Sequence, residues 1–144
     1  MLSEKVKKMS QARDWWYDEL PLNYAEALQS VGIDLQTTFA DFYLHVADGP
    51  TFYSRQQEIY QICWFILNTD YQLSVDRTHQ SLKLPEEYIP LDAFEGGGGY
   101  FYNRATGEVL FITLGEKLQS FLNGELKPQW QDFNSFLEWY FDLN

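Results

Sequence analysis

Glu95-Gly96-Gly97-Gly98-Gly99-Tyr100-Phe101-Tyr102-Asn103-Arg104-Ala105-Thr106-Gly107-Glu108-Val109-Leu110-Phe111-Ile112-Thr113-Leu114 is the most β-like stretch of this 144-residue chain. Two runs of aromatic and β-branched residues, 100–103 and 108–114, flank a short connection that ends in Gly107, the signature of a hairpin. The four glycines before it let the chain turn sharply and approach neighbouring backbone closely. A phosphate-loop reading of the same run fails on its surroundings. No Gly-Lys-Ser/Thr follows, a tyrosine-rich strand stands where a helix should begin, and Asp92 and Glu95 would repel phosphate. Just upstream, residues 87–91 (Glu-Tyr-Ile-Pro-Leu) are short and bounded by prolines, which suits an edge strand.

On both sides of this β region the hydrophobic period is helical. Leu2, Val6, Met9, Trp16 and Leu20, with Ala12, make one stripe that Leu20-Pro21 would end. A shorter helix over 24–30 stops near Gly32, and a third over 37–46 puts Phe39, Phe42, Tyr43 and Val46 on one face. Asp48-Gly49-Pro50 follows as its stop. At the other end Phe133, Phe136, Leu137, Tyr140 and Phe141 are spaced i, i+3, i+4, i+7 and i+8, with Asp132 as N-cap. The stretch 58–69 is almost continuously apolar after Gln61, and periodicity alone does not separate strand from helix. The favoured reading is a strand beginning near Glu58 and running into a helical turn or loop by Asn68. Helices, then strands, then a closing helix indicate α+β: an antiparallel sheet flanked by N-terminal helices and a C-terminal helix, in one domain over 1–144.

Length and composition agree with that. A chain near this size buries roughly two-thirds of its unfolded surface, and its 5 Trp, 10 Tyr and 11 Phe supply a core without disulfides. No stretch reaches the ~20 apolar residues of a membrane span. The N-terminus lacks the apolar core of a secretory signal, so a cytoplasmic location is expected. The formal charge is -11, unevenly spread. Residues 1–13 hold Lys5, Lys7, Lys8 and Arg13 against Glu4, and the rest of the chain carries 6 basic and 20 acidic side chains. Such a field disfavours nucleic acid and anionic membrane and favours a basic partner.

Residues that carry chemistry elsewhere find no companions here. Cys63, the one cysteine, sits between Ile62 and Trp64 and reads as a small buried hydrophobe. With only His45 and His79 besides, a Cys/His metal cage is not expected, nor is any cofactor. His45, late in the third helix, suits a helix C-terminus, where a cationic imidazole is favoured; His79 falls in a polar stretch. Neither has an evident serine or cysteine partner. Tyr100, Phe101 and Tyr102 could stack bases, but with only Arg104 nearby they read as sheet residues, alternately buried and partly exposed. Glu86, Glu87, Asp92 and Glu95 group around the hairpin and are the candidate partner-binding acids.

The order of these elements resembles the SUKH superfamily, which includes yeast cell-wall-synthesis regulators and many bacterial immunity proteins. The resemblance rests on the run 39–50 ending in Asp48-Gly49-Pro50, on Glu58-Ile59-Tyr60, and on Leu84-Pro85-Glu86-Glu87-Tyr88-Ile89-Pro90-Leu91. It continues through the glycine run with Tyr100-Phe101-Tyr102, the hairpin to Glu108-Val109, and Trp130-Gln131-Asp132-Phe133-Asn134-Ser135-Phe136-Leu137. It covers residues 35–143, leaving 1–34 as a helical extension. It implies an α+β, non-enzymatic binding domain with no catalytic residues to transfer. In bacteria such domains commonly neutralise a toxin, often a nuclease, and in fungi a related domain is a regulatory adaptor. The leading expectation is therefore an immunity-type protein whose acidic face, through Glu86, Glu87, Asp92 and Glu95, covers the basic surface of a cognate toxin. An intracellular adaptor binding host proteins is the alternative, and an enzyme lacks a convergent cluster of titratable groups. Exposed aromatics would also allow a homodimer.

Overall fold

The computed structural model describes residues 1–143. Three helices come first. α1 (Glu4–Ala12) is capped by Ser3, whose side chain accepts the Val6 N–H, and buries Val6, Met9 and Ser10. The helix ends at Arg13, well before Leu20-Pro21. Asp14 turns the chain at φ 59°, and Trp16 forms a bridge antiparallel to Val46. The two adjacent indoles explain the early stop. Trp15 packs between Phe52 and Phe141 while Trp16 stacks on His45 at 4.7 Å, and extended backbone sends neighbouring side chains to opposite sides where a helix does not. α2 (Asn23–Ser30) and α3 (Thr38–His45) stand where the period placed them, α3 capped by the Thr37 side chain on the Ala40 N–H. Extended Val46 ends α3, so Gly49 (φ 75°) serves the following turn rather than the helix cap.

The stretch 58–69 resolves into both candidates in succession. A hairpin of β1 (Thr51–Ser54) and β2 (Gln57–Tyr60) closes first, and the apolar run after it is a helix, α4 (Ile62–Asn68), not a continuing strand. The switch falls at Gln61, whose side-chain oxygen accepts the Cys63 N–H at 2.9 Å as N-cap. α5 (Tyr71–Asp76) then runs into a π-helical turn, Arg77–Ser81, which holds His79. β3 (Tyr88–Pro90), a 3-10 turn (Glu95–Gly97), β4 (Gly98–Asn103) and β5 (Val109–Thr113) follow. α6 (Glu116–Leu122) and α7 (Phe133–Tyr140) close the chain, the latter capped by Asp132 on the Ser135 N–H.

The fold is α+β, with its strands in two antiparallel sheets rather than one: β1-β2 and β3-β4-β5. Leu91 joins them, accepting the Tyr60 N–H at 2.7 Å and donating its own to Tyr100 at 2.9 Å. β4 is buried along its whole length. Tyr100 and Tyr102 face the main core, while Phe101 faces a second cluster with Tyr88, Leu110, Ile112 and Leu118. Burial on both faces accounts for the unbroken aromatic run, so these tyrosines do not alternate with solvent. Residues 1–34 are no appendage either. Leu2, Val6, Met9, Leu28 and Ile33 lie in the same cluster as Phe39, Phe42, Phe133 and Phe136.

Candidate partner-binding cleft

The β1–β2 hairpin turns through Arg55 and Gln56, both left-handed at φ 54° and 60°. Two-residue turns of this hand normally use Asn-Gly, because a side chain there is strained by about 1–2 kcal/mol. The strain is offset by anchoring. Arg55 donates Nε and Nη2 to the Trp139 carbonyl at 3.0 and 2.5 Å and lies 4.4 Å over the Trp139 ring. Gln57 donates Nε2 to Asp92 at 2.6 Å and to the Gly98 carbonyl at 3.2 Å. The turn is thereby fixed to α7 on one side and to the loop after β3 on the other.

Opposite residues of an antiparallel pair share a face. The pairs Phe52↔Ile59 and Thr51↔Tyr60 therefore separate the hairpin into a buried side and an open one. Phe52 and Ile59 enter the core, whereas Thr51, Tyr53, Glu58 and Tyr60 line a cleft of about 390 Å³ that Asp92 and Glu95 complete. Tyr60 and Phe65 stack at 3.7 Å along one wall. Thr51 donates its hydroxyl to Glu58 at 2.7 Å, which orients that carboxylate. Tyr53 is 65% exposed at the rim. Aromatic rings beside two exposed carboxylates are suited to a lysine or arginine side chain, which gains from both.

The four acids read from the sequence do not form one face. Asp92 and Glu95 belong to this cleft, but Glu86 and Glu87 lie at the other end of β3, where their backbone carbonyls accept from Arg104. Residues 88 to 92 are separated by about 13 Å at strand rise. Asp92 is also unavailable to a partner, being only 2% exposed. Its oxygens accept from the N–H groups of Phe94 (3.1 Å) and Tyr100 (3.2 Å) and from Gln57. It holds the floor together. Tyr53 and Glu58 escaped the sequence reading because the Ser54-Arg55-Gln56-Gln57 turn has no glycine or asparagine. The alternation Phe52/Ile59 in, Tyr53/Glu58 out, was the usable signal.

Burial pushes the Asp92 carboxyl up to about 6 from an ordinary 3.8, although its three donors pull it down. Between about pH 4 and pH 6 the folded protein keeps a proton that the unfolded chain has released, so stability falls as pH rises through that window. The expected contribution is roughly 3 kcal/mol, greatest below pH 4 and flat above pH 6. Asp92→Asn should flatten this part of the profile in thermal melts between pH 4 and 7. Parallel profiles for the two proteins would refute the assignment.

Other candidate groups are structural. Cys63 is fully buried and its thiol is pushed up to about 12 by burial, which leaves it unreactive. His45 is bonded to the Tyr17 carbonyl at 2.9 Å, lies 3.7 Å from Asp41 and stacks on Trp16. His79 is bonded through Nε2 to the Tyr88 carbonyl at 2.7 Å. Among the described residues no three His, Cys, Asp or Glu side chains gather as metal ligands, and no helix is long and apolar enough to cross a membrane. Comparisons with protein-family models, curated proteins and solved structures return no match for this chain.

Proposed function

We propose that this chain is a non-enzymatic binding domain that covers the basic surface of another protein, acting in the cytoplasm as an immunity protein against a toxin. A toxin whose substrate is nucleic acid fits best, because such a surface is basic and an acidic cover would exclude the substrate. One observation carries the reading: the acidic charge is left uncompensated. Of 21 carboxylate side chains, the described residues place two within ion-pair distance of a lysine or arginine, Glu138 and Asp142, and a third, Asp41, lies 3.7 Å from His45. Four of the ten basic side chains lie instead over aromatic rings, Lys7, Arg13, Arg77 and Lys117, and Arg55, the partner of Asp142, lies over Trp139 as well. Arg104 donates to the carbonyls of Val31, Glu86 and Glu87. The resemblance to SUKH immunity proteins supports the same reading.

The test is an affinity pull-down from the native host with low- and high-salt washes, followed by co-expression. The expected partner is one basic protein, released as salt rises, toxic when expressed alone and harmless beside this chain. Glu58→Lys with Glu95→Lys should slow its association about ten-fold or more at low salt, whereas Glu86→Lys with Glu87→Lys should change it less. A set of housekeeping proteins held regardless of salt, or a Glu58/Glu95 variant that protects as well as the wild type, would overturn the proposal.

A further inference from the structure

We propose that a second cleft, on the other side of the β1–β2 turn, binds a small aromatic carboxylate. It is separate from the partner-binding reading and does not depend on it. The cleft has a volume of about 580 Å³, within the range of small-molecule sites. Its apolar lining is aromatic: Tyr100, Phe111, Trp130 and Trp139. Trp130 and Trp139 lie 4.8 Å apart between ring centroids, and Tyr100 stands 5.9 and 6.2 Å from them. Tyr100 belongs to the core behind the cleft, Arg55 covers one face of Trp139 and Lys117 one face of Phe111. A planar ligand would therefore meet the ring faces and edges that remain, chiefly those of Trp130 and Trp139.

The charge at this cleft opposes that of the molecule. In a chain of net charge -11 none of the residues lining it is acidic, and two, Arg55 and Lys117, are cationic. Lys117 lies 5.3 Å over the Phe111 ring and has no ion pair among the described residues. Arg55 spends Nε and Nη2 on the Trp139 carbonyl, with Asp142 3.5 Å from Nη2. Asp142 is 78% exposed by side chain, so this carboxylate competes from solvent for Arg55 rather than filling the cleft. Aromatic walls with cations at the rim select a ligand that is planar and anionic, held by stacking and by charge-assisted hydrogen bonds.

Three probes with one ring system separate this from adventitious binding: indole-3-acetate, indole-3-ethanol and tryptamine, which are anionic, neutral and cationic. Titration followed by calorimetry and by tryptophan fluorescence should rank them acetate first, ethanol second, tryptamine last, with about ten-fold between first and last. Net charge alone predicts the reverse order. Lys117→Gln should weaken the acetate about ten-fold while leaving the ethanol within about two-fold, and Asp142→Asn should strengthen the acetate several-fold. Both positions are at the surface, and far-UV melts check that each variant is folded. Tryptamine binding as tightly as the acetate, an acetate affinity indifferent to Lys117, or no binding at millimolar probe would each overturn the site.

Discussion

Replacing Gln61 with leucine is expected to lower stability by about 3–5 kcal/mol, the sum of three buried hydrogen bonds lost at once. Gln61 is fully buried. Its Nε2 donates to the carbonyls of Tyr43 at 3.0 Å and Val46 at 2.9 Å, at the end of α3, and its Oε1 accepts the Cys63 N–H at the start of α4. Without it the Tyr43 carbonyl would keep only a long contact from the Cys63 thiol at 3.8 Å. The Val46 carbonyl would be short of a partner at a helix C-terminus, and the N–H would be free at a helix N-terminus. One side chain therefore splices two helix ends inside the core, where water does not reach. Leucine keeps the volume and supplies none of the bonds. Urea unfolding should show the full loss as a lower midpoint at unchanged slope. In heat, at roughly 3 °C per kcal/mol for a domain of this size, the transition should fall by about 10 °C. Gln61→Glu should be similarly damaging, since it removes the donor and faces two carbonyl oxygens with a charge. A loss below about 1 kcal/mol for leucine would mean that the helix ends find other partners.

Gly99→Ala is expected to cost about 3 kcal/mol, at the upper end of what overpacking a core usually does. A Cβ at this position would stand 2.4 Å from Asp92 Oδ1 and 2.9 Å from Phe94 Cδ1. Asp92 is not free to retreat, since it would drop the N–H groups of Phe94 and Tyr100 and release Gln57. The damage would spread to the hairpin turn and so to the acidic cleft. Gly98→Ala is the control, because its Cβ would meet Thr113 Cγ2 at 3.2 Å and Phe111 Cζ at 3.4 Å. It should cost about 1 kcal/mol, the penalty of a small local adjustment. Equal effects at the two positions would refute the close-approach account.

The two glycines also show why the run 96–99 was only partly legible. Gly96 and Gly97 have φ of 68° and 78°, the turn that the run suggested. Gly98 and Gly99 are instead strand residues whose missing side chains make room for Phe111, Thr113 and Asp92. Composition reveals that backbone comes close to something; it does not reveal to what.

The partner-binding acids follow the same rule. Glu86, Glu87, Asp92 and Glu95 are neighbours in sequence, and proximity of like residues suggested a face. Because β3 is extended, a few residues carry the chain about 13 Å, and the loop after it turns Asp92 inward. Whether a carboxylate is surface or scaffold depends on which donors the tertiary structure brings to it. For Asp92 they come from Gln57, 35 positions away, as well as from Phe94 and Tyr100.

By itself the sequence determined the α+β class, the central hairpin of β4 and β5, the helices α2, α3 and α7, and the acidic balance. These follow from local period, capping and composition, which act within a few residues. Tertiary structure alone decided that 58–69 divides at Gln61, that the strands form two sheets, and that α1 stops before its two tryptophans. It also set the acidic cleft on one side of the β1–β2 turn and the aromatic, cationic cleft on the other. Each of these depends on partners far apart in the chain: Gln61 with Tyr43 and Val46, Trp15 with Phe52 and Phe141, Arg55 with Trp139. A buried donor or a wide ring takes its position from whatever completes its bonds and contacts, and that partner is chosen only when the chain closes on itself.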